Sequence, residues 1–312
     1  MFHPDPTSSA EPRSTRASRA EGLAAARFVT LAESIKDAVH DGDTVALEGF
    51  THLIPFAAGH EIIRQGLHNL TLVRMTPDIV YDQLIGAGCA SRMVFSWAGN
   101  PGAGSLHRFR DAVENGYPSP LAIEEHSHAG MAARYQAGAS GLPFGVLRGY
   151  SGTDLVGLTS TITSVTCPFT GEALAAVPAL LPDVGIICAQ QADHEGNIVL
   201  WGITGVQKEV VLASRRSIVL VEEVVDSFSP HLNSVVLPSW AVEYVAVVPR
   251  GSHPSYALGY SERDNAFYSA WERVSRDRKL FAAWIGNHVL GTANHEAYLS
   301  SLGAELAGEA GG

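Results

Sequence analysis

The stretch DGDTVALEGFTHLIP, residues 41–55, decides the fold and contains the first candidate site. Residues 41–43 predict a turn, and residues 44–47 predict a short apolar strand of the kind buried in parallel sheets. Gly49 ends this strand, which places the backbone N–H groups of a loop at the strand's carboxyl end. Such groups can stabilise an oxyanion during acyl transfer, although an ordinary strand-to-helix connection has the same sequence pattern.

The flanking sequence alternates helices and strands. Thr30 and Glu33 form a capping box that predicts a helix directly before the stretch. Strand, turn and helix then recur between residues 56 and 139 and between residues 183 and 248. Residues 143–176 break this rhythm and predict long loops or short antiparallel strands. The alternation predicts an α/β fold, a mostly parallel sheet with helices on its faces.

The domain organisation is inferred from two features that the sequence lacks, internal repeats and linkers. Between residues 25 and 305 we find neither an internal repeat nor a linker, and we therefore expect a single domain that ends in aromatic-rich helices from about Asn265 onward. Residues 1–24 are rich in Pro, Ser and Arg and lack apolar periodicity, so we expect a disordered tail. Because this tail has no apolar segment of a secretory signal, we expect a cytoplasmic protein.

Composition excludes several classes of protein. Of the 312 residues, 46% are hydrophobic, which is enough to bury a large core. The formal net charge is −11 and no Lys or Arg cluster is visible, which argues against a nucleic-acid ligand. No apolar stretch approaches the roughly 18 uncharged residues of a membrane-spanning helix, and we expect no membrane association.

Candidate site residues are sought in the loops after strands, because ligands of open parallel sheets bind outside the carboxyl ends of the strands. The loop after the first strand contributes Gly49, Phe50, Thr51 and His52. We interpret these four residues as part of an oxyanion or substrate pocket.

Two further loops add candidates. In WAGNPGAGSLHRFR, residues 97–110, Asn100 and Gly102 precede a predicted helix whose N-terminus can hold a phosphate or carboxylate. This loop matches neither common glycine-rich phosphate-binding consensus, so the signal is weak on its own. After a later strand, Gln190 and Gln191 offer neutral donors and acceptors that either orient a carboxylate or thioester or satisfy buried backbone.

The run IEEHSHAGM, residues 123–131, places Glu124, Glu125, His126 and His128 after another strand. A pocket role, acid–base chemistry and plain loop polarity all remain open for it. No third ligand with suitable spacing accompanies the two histidines, so we expect no metal. The sequence also has no nucleophile elbow and no cysteine near a His–Asp pair. It therefore combines features of acyl transfer with no obvious nucleophile.

Several segments in the same order resemble the alpha-type (A) subunits of family I coenzyme A transferases, those of glutaconate CoA-transferase in particular. The similarity extends from about Thr30 to Ser275. It is carried by DG-x-x-VAL-x-GF (41–50), AVPALLPDVGIICAQQADHEGNIVLWG (176–202), VEEVV (221–225) and GSHPSYALGYSERDNAF (251–267).

The resemblance implies an open three-layer α/β/α sandwich and a homologous B subunit, in a heterodimer or heterotetramer. It implies transfer of CoA between an acyl-CoA and a small carboxylic acid, dicarboxylic or 3-oxo, through a glutamyl-CoA thioester on a Glu of the B subunit. The A subunit would line the acid pocket and the oxyanion site near Gly49 and Phe50. The CoA thioester would be a substrate, with no permanently bound cofactor.

The sequence departs from the family signature at two places. Glu48 stands where the signature has a first glycine, and Leu53-Ile54-Pro55 replaces a Gly-x-Pro. One alternative is a subunit of a CoA-ester ring-opening hydrolase on the same scaffold, with Glu124 or Glu125 as acid–base group. A second is a non-catalytic relative that binds a carboxylate or CoA.

Overall fold

The computed structural model describes four ranges of the chain: 26–101, 104–150, 152–229 and 231–309. The expected disordered tail, residues 1–24, lies outside the described residues, and so does Gly102.

A parallel sheet forms the centre of the described chain. Its eight parallel strands are β1 (Arg27–Phe28), β2 (Thr44–Glu48), β3 (Leu70–Val73), β4 (Ala90–Phe95), β5 (Ala122–Glu125), β9 (Val184–Asp193), β11 (Arg216–Val225) and β13 (Tyr244–Val247). Their spatial order is β1-β13-β11-β9-β2-β3-β4-β5. Antiparallel strands β10 (Ile198–Leu200) and β12 (Val235–Leu237) extend the sheet from the end of β9. The predicted parallel sheet is thus confirmed.

Helices connect or flank these strands. In the described ranges they are α1 (Leu31–Ala38), α2 (Phe56–Arg64), α3 (Ile79–Gly86), α4 (His107–Asn115), α5 (His128–Ala139), α6 (Leu155–Leu158), α7 (Gln207–Ala213), α8 (Asn265–Arg276), α9 (Arg278–Trp284) and α10 (His295–Glu309). A 3₁₀ turn at Ser239–Ala241 and a π-helical segment at Ile285–Leu290 supplement them. The predicted capping box at Thr30 and Glu33 is present at the start of α1. None of the helices in the described part of the chain has the length and apolarity needed to cross a membrane.

The helices form two layers. Helices α1, α2, α3, α4 and α8 pack in succession against one another, whereas α5 packs on α7, and α7 lies on β9 and β2. The chain proceeds from β2 towards β5 in one direction and from β9 towards β13 in the other, so right-handed crossovers place the helices on opposite faces. Because both faces are covered, Val45, Ala46 and Leu47 of β2 are fully buried.

Residues 143–176 contain short antiparallel strands, which confirms one of the two predictions for this segment. Strands β6 (Phe144–Leu147), β7 (Thr163–Thr166) and β8 (Ala173–Pro178) form a separate sheet in the order β6-β8-β7, packed on α5. This sheet has a small hydrophobic cluster of its own around Val177. The interpretation of residues 25–305 as a single domain stays a prediction.

The buried carboxylate of Asp82, in α3, connects α8 of the aromatic-rich C-terminal part to α4 by hydrogen bonds. It accepts hydrogen bonds from the backbone N–H groups of Arg108 at 2.8 Å and Phe109 at 2.9 Å, in the first turn of α4, and from the Trp271 indole of α8 at 3.1 Å. Leu106, the residue before α4, offers no cap of its own. Asp82 therefore satisfies helix donors that would otherwise be orphaned.

We predict that Asp82→Ala lowers the free energy of unfolding by about 3–5 kcal/mol, because three buried donors lose their acceptor. Urea unfolding followed by circular dichroism measures this effect. Asp82→Asn keeps one carbonyl oxygen for the α4 amides, and we expect a loss of about 1–2 kcal/mol. Equal stability of wild type and Asp82→Ala would contradict the capping role.

Candidate active site

The cleft of the sheet lies outside the carboxyl ends of β2 and β9. These two strands are neighbours, but the chain leaves them towards opposite edges of the sheet. Such a point of reversal is where open parallel sheets bind ligands. Residues 49–55 leave the end of β2 here, and Gln190 lies near the end of β9.

The loop after β2 turns back sharply on itself. A Cβ atom on Gly49 would lie 2.5 Å from the carbonyl oxygen of Leu53 and 2.8 Å from that of His52, so only glycine fits. Thr51 and Leu53 adopt left-handed backbone conformations, with φ of 58° and 54°. Such strain in non-glycine residues costs on the order of 1–3 kcal/mol each and is typical of functional loops.

The buried Arg74 after β3 orients the first peptide group of this loop. Its Nη2 donates to the carbonyl oxygen of Gly49 at 2.8 Å, and its Nη1 binds Asp78 at 2.9 Å. In a trans peptide the N–H points away from the carbonyl, so the Phe50 N–H points away from Arg74. Among the described residues, the backbone N–H groups of Phe50 and Thr51 have no hydrogen-bond acceptor. Two successive free donors of this kind can bind a negatively charged oxygen. The oxyanion role of Gly49, Phe50 and Thr51 stays a prediction.

The side chain of Glu48 lies in the interior. It is 2% exposed and accepts a hydrogen bond from Met75 N at 2.7 Å. Burial raises the pKa of Glu48 to about 7, although the charge of Arg74 and the Met75 N–H oppose the shift. The departure from the family signature therefore places a buried carboxyl group beside Gly49, where the loop begins.

His52 fastens three loops together. The Leu258 N–H donates to Nε2 at 2.9 Å, which assigns the proton to Nδ1, 3.3 Å from the Ile203 carbonyl oxygen. Burial lowers the pKa of His52 to about 4, against the effect of the Ile203 hydrogen bond, so the ring is neutral at physiological pH. Both ring nitrogens are engaged with backbone, and the geometry favours a positioning role. Direct contact of His52 with a substrate stays a prediction.

The two glutamines differ in their surroundings. Gln190 is fully buried and exchanges two hydrogen bonds of 3.1 Å with the backbone of Trp201. Gln191 donates to Glu223 at 3.0 Å and to the Tyr260 hydroxyl at 2.9 Å. Gln190 thus satisfies buried backbone, which is one of the two predicted alternatives, and Gln191 faces the cleft.

Two cavities are lined by the loop itself or by a residue that contacts it. The first has a volume of about 500 Å³ and is lined by Gln191, Trp201, His231, Leu232, Leu258, Gly259 and Tyr260. The second has a volume of about 380 Å³ and is lined by Thr51, Ile54, Pro101, Tyr256, Arg263 and Tyr268.

The second glycine-rich loop contributes to the second cavity through its backbone. Pro101 lines this cavity. The buried Asn100 donates from Nδ2 to the Tyr268 carbonyl oxygen at 2.8 Å and so anchors the loop to α8. A role of Asn100 and Gly102 in holding a ligand at the start of α4 stays a prediction.

Sequence reasoning did not identify Arg74, Tyr256 and Arg263. Residues 251–267 stand out in the sequence only as a matching segment, without an individual role for any residue. One signal for Arg74 was available in the sequence. It lies at the end of a strand, and ligands of open parallel sheets bind outside the carboxyl ends of the strands. The segment also supports the loop after β2, because Tyr256 O accepts from Leu53 N at 2.9 Å.

Glu124 lies three strands away from β2, at the sheet edge, in an ion-pair network. Its carboxylate binds His126 at 3.0 Å, Arg134 at 2.6 Å and Thr161 at 3.0 Å, and it also pairs with Arg92. Burial acts to raise its pKa, but the hydrogen bond from His126 and the charges of Arg134 and Arg92 prevail and lower it. A carboxyl group held ionised in this way is a poor proton donor near neutral pH.

Glu125 is exposed at the end of β5, and its carbonyl oxygen accepts from Thr159 at 2.7 Å. Neither Glu125 nor Glu124 lines the two cavities. Their acid–base role stays a prediction. In the described part of the chain, no group of three or more His, Cys, Asp or Glu side chains could hold a metal ion.

Comparison with known proteins gives consistent results. A family model described as Coenzyme A transferase matches residues 28–247. The chain is 60% identical to the A subunit of the 3-oxoadipate CoA-transferase of Pseudomonas knackmussii, across 89% of this chain and 98% of the relative. It is 32% identical to the A subunit of the glutaconate CoA-transferase of Acidaminococcus fermentans, across 89% of this chain and 92% of the relative.

Solved structures agree with this result. The crystal structure of glutaconate coenzyme A-transferase from Acidaminococcus fermentans matches with a TM-score of 0.81 and 30% identity, covering 90% of this chain and 94% of that chain. A variant of the decarboxylase AibA/AibB matches with a TM-score of 0.71 and 26% identity, covering 84% and 99%.

The fold, with a cleft at the switch point of its parallel sheet, is that of an α/β enzyme. The chain belongs to the coenzyme A transferase family. Within this family it is of the A-subunit type. The three-layer α/β/α sandwich and the CoA-transferase assignment expected from the resemblance are confirmed.

The pKa of Glu48 gives a testable pH dependence. Its folded-state pKa of about 7 exceeds the usual value of 4.5, so the folded state binds the proton more tightly. Glu48 therefore makes its full contribution to the free energy of unfolding below about pH 4.5, and this contribution is lost as the pH rises through 7. We predict that, relative to Glu48→Gln, wild type loses about 2–3 kcal/mol of unfolding free energy between pH 5 and pH 8.

Urea unfolding at both pH values measures this difference. Glu114→Gln, at an exposed glutamate on α4, is the control and should follow wild type. Parallel pH profiles of wild type and Glu48→Gln would contradict the assigned pKa.

Proposed function

We propose that this chain is the A subunit of a two-subunit CoA transferase that moves CoA between an acyl-CoA and a small dicarboxylic or 3-oxo acid. The B subunit supplies a Glu nucleophile and carries the glutamyl-CoA thioester. The single observation that carries the proposal is the pair of unpaired N–H groups, of Phe50 and Thr51, at the switch point beside a cavity.

The chemistry requires such donors. A carboxylate oxygen of the partner's Glu attacks the thioester carbonyl carbon, CoA leaves as a thiolate, and a mixed anhydride forms. The thiolate then attacks the glutamyl carbonyl of the anhydride, which releases the first acid and leaves glutamyl-CoA. The carboxylate of the second acid then attacks glutamyl-CoA. The same two steps in reverse order give the second acyl-CoA and release the Glu of the partner. Each attack places negative charge on a carbonyl oxygen, which the N–H groups of Phe50 and Thr51 are positioned to bind.

The side chains of the cleft support the assignment of the nucleophile to the B subunit. The residues that line the two cavities include no Cys, Ser or carboxylate, and Thr51 is their one aliphatic hydroxyl. The buried cysteines are unsuitable, because burial raises the pKa of Cys89 to about 12 and that of Cys188 well above its usual value. The third cysteine, Cys167, lines neither cavity. We therefore assign the nucleophile to a group outside this chain.

The B subunit would dock where it can complete the cleft. Large apolar side chains around the first cavity are exposed, with Leu232 88%, Ile203 49% and Leu258 48% accessible. Exposed apolar patches beside a functional site mark protein interfaces. We infer that the B subunit covers this rim and that the contact excludes water, which would otherwise hydrolyse the anhydride and thioester.

The relative at 60% identity is named for 3-oxoadipate, a six-carbon dicarboxylic acid with a 3-oxo group. This name supports 3-oxoadipate, or an acid of the same class, as substrate of this chain. The hydrolase alternative has no comparable support, because Glu124 is bound in its ion-pair network away from the cavities.

We predict that the complex with the B-type chain forms a covalent CoA thioester on the partner. The co-expressed complex is incubated with 3-oxoadipyl-CoA and then with borohydride, which reduces a glutamyl thioester to an alcohol. Peptide mass spectrometry should locate this alcohol at one Glu of the partner and none in this chain. Without the partner, this chain should exchange no CoA. Consumption of the thioester without modification of either chain would overturn the proposal.

Gly49→Ala tests the oxyanion site. Because the added Cβ collides with backbone atoms of His52 and Leu53, the loop must shift and misplace its donors. We expect kcat of the complex to fall about 100-fold or more, as for the loss of one oxyanion donor. Gly157→Ala is the matched control, since its Cβ meets nothing within 4 Å. Full activity of Gly49→Ala would remove the loop from the reacting centre.

A further inference from the structure

The second cavity contains a cation, Arg263, that forms no ion pair with a carboxylate of the described residues. Arg263 is half-buried at the cavity wall, with its guanidinium stacked 4.1 Å above the ring centroid of Tyr268. Nη2 donates to the Pro101 carbonyl oxygen at 2.8 Å, and Nη1 donates to the Asn265 side chain at 3.0 Å. These contacts hold the guanidinium plane in place and neutralise none of its charge.

The nearby carboxylates are engaged elsewhere. Asp78 lies within electrostatic range of Arg263, but its ion pair is with Arg74, through Oδ1, and its Oδ2 binds no described group. Asp264 follows Arg263 directly, but it accepts from His253 at 3.2 Å and caps α8 through Phe267 N at 2.9 Å. Among the described residues, no carboxylate forms an ion pair with Arg263. An arginine held rigidly in a cavity without a counter-ion is a preorganised site for a carboxylate.

The same cavity adjoins the loop after β2. Thr51 lies on its wall together with Arg263, so one small molecule in this cavity can contact both Thr51 and the guanidinium. The remaining lining, Ile54, Tyr256 and Tyr268, is largely apolar and suits the methylene groups between two polar ends.

We propose that Arg263 binds the remote carboxylate of a dicarboxylic acid whose other carboxyl group reacts beside Phe50 and Thr51. Arg263 is thus the residue that selects dicarboxylic over monocarboxylic acids. This inference rests on the proposed function, since it assigns the acid class of the same site. The guanidinium forms two parallel hydrogen bonds to the remote carboxylate, and an acid without that group leaves the charge unpaired.

The test compares two acids that differ only at the remote end. The co-expressed complex is assayed for exchange of isotope between 3-oxoadipyl-CoA and labelled 3-oxoadipate, and between 3-oxohexanoyl-CoA and labelled 3-oxohexanoate. We expect Arg263→Gln to lower kcat/KM for the dicarboxylic acid about 10- to 100-fold, the effect of losing a charge-assisted bidentate contact. Exchange of 3-oxohexanoate should change less than about 3-fold.

Two variants control for folding. Arg263→Lys keeps the charge without the bidentate geometry and should fall between wild type and Arg263→Gln. Arg278→Gln removes an arginine that stacks 4.0 Å above Tyr117 in the same manner but lies outside both cavities, and it should leave both exchange rates unchanged. An equal loss for both acids in Arg263→Gln, or a loss for neither, overturns the assignment.

A binding measurement separates this inference from the proposed function. Calorimetric titration of the complexes with adipate and hexanoate requires no catalysis. If wild type exchanges neither acid, the transferase proposal fails. The Arg263 site then stands only if wild type prefers adipate and Arg263→Gln loses that preference. Equal binding of the two acids by wild type overturns the site as well.

Discussion

The buried guanidinium of Arg74 is the interaction on which the cleft depends. It is 1% exposed, and it joins Asp78 at the start of α3 to the Gly49 carbonyl at the end of β2. Loss of either partner would leave the other buried without its main compensating contact, which is strongly destabilising. Arg74 thereby links two neighbouring strand ends rigidly, and the direction of the Phe50 N–H follows from the bound carbonyl.

Support for the same loop comes from the other half of the sheet. The segment after β13 accepts from Leu53 N through Tyr256 O, and Leu258 N donates to the ring of His52. The strained conformation at Thr51 persists because these contacts come from both sides of the switch point. The cleft is therefore a product of both halves of the chain, and neither half could hold the loop alone.

In the proposed function, this chain positions the substrate and the partner provides the nucleophile. In this proposal the loop after β2, the apolar cavity and Arg263 are preorganised elements, which would stabilise charge without rearrangement during the reaction. Exposed Leu232 and Ile203 at the rim leave the cleft open on one side. A partner docked on that rim would supply the reacting carboxylate and remove water in one step, so that assembly and catalysis are coupled.

The sequence by itself determined the elements and the family. Local sequence is sufficient to predict the capping box at Thr30 and the apolar strands, because each depends on residues that are close along the chain. The family follows from matching segments, which are also local stretches of sequence. The sequence also directed the search to the residues that follow β2, because the carboxyl ends of parallel strands meet at one sheet edge. Only the tertiary structure decided that Gln190 satisfies backbone and that Arg263 enters the cavity. The partners in these contacts are set by packing: His52 and Leu258, for example, are 206 residues apart, and no local pattern encodes such a distance.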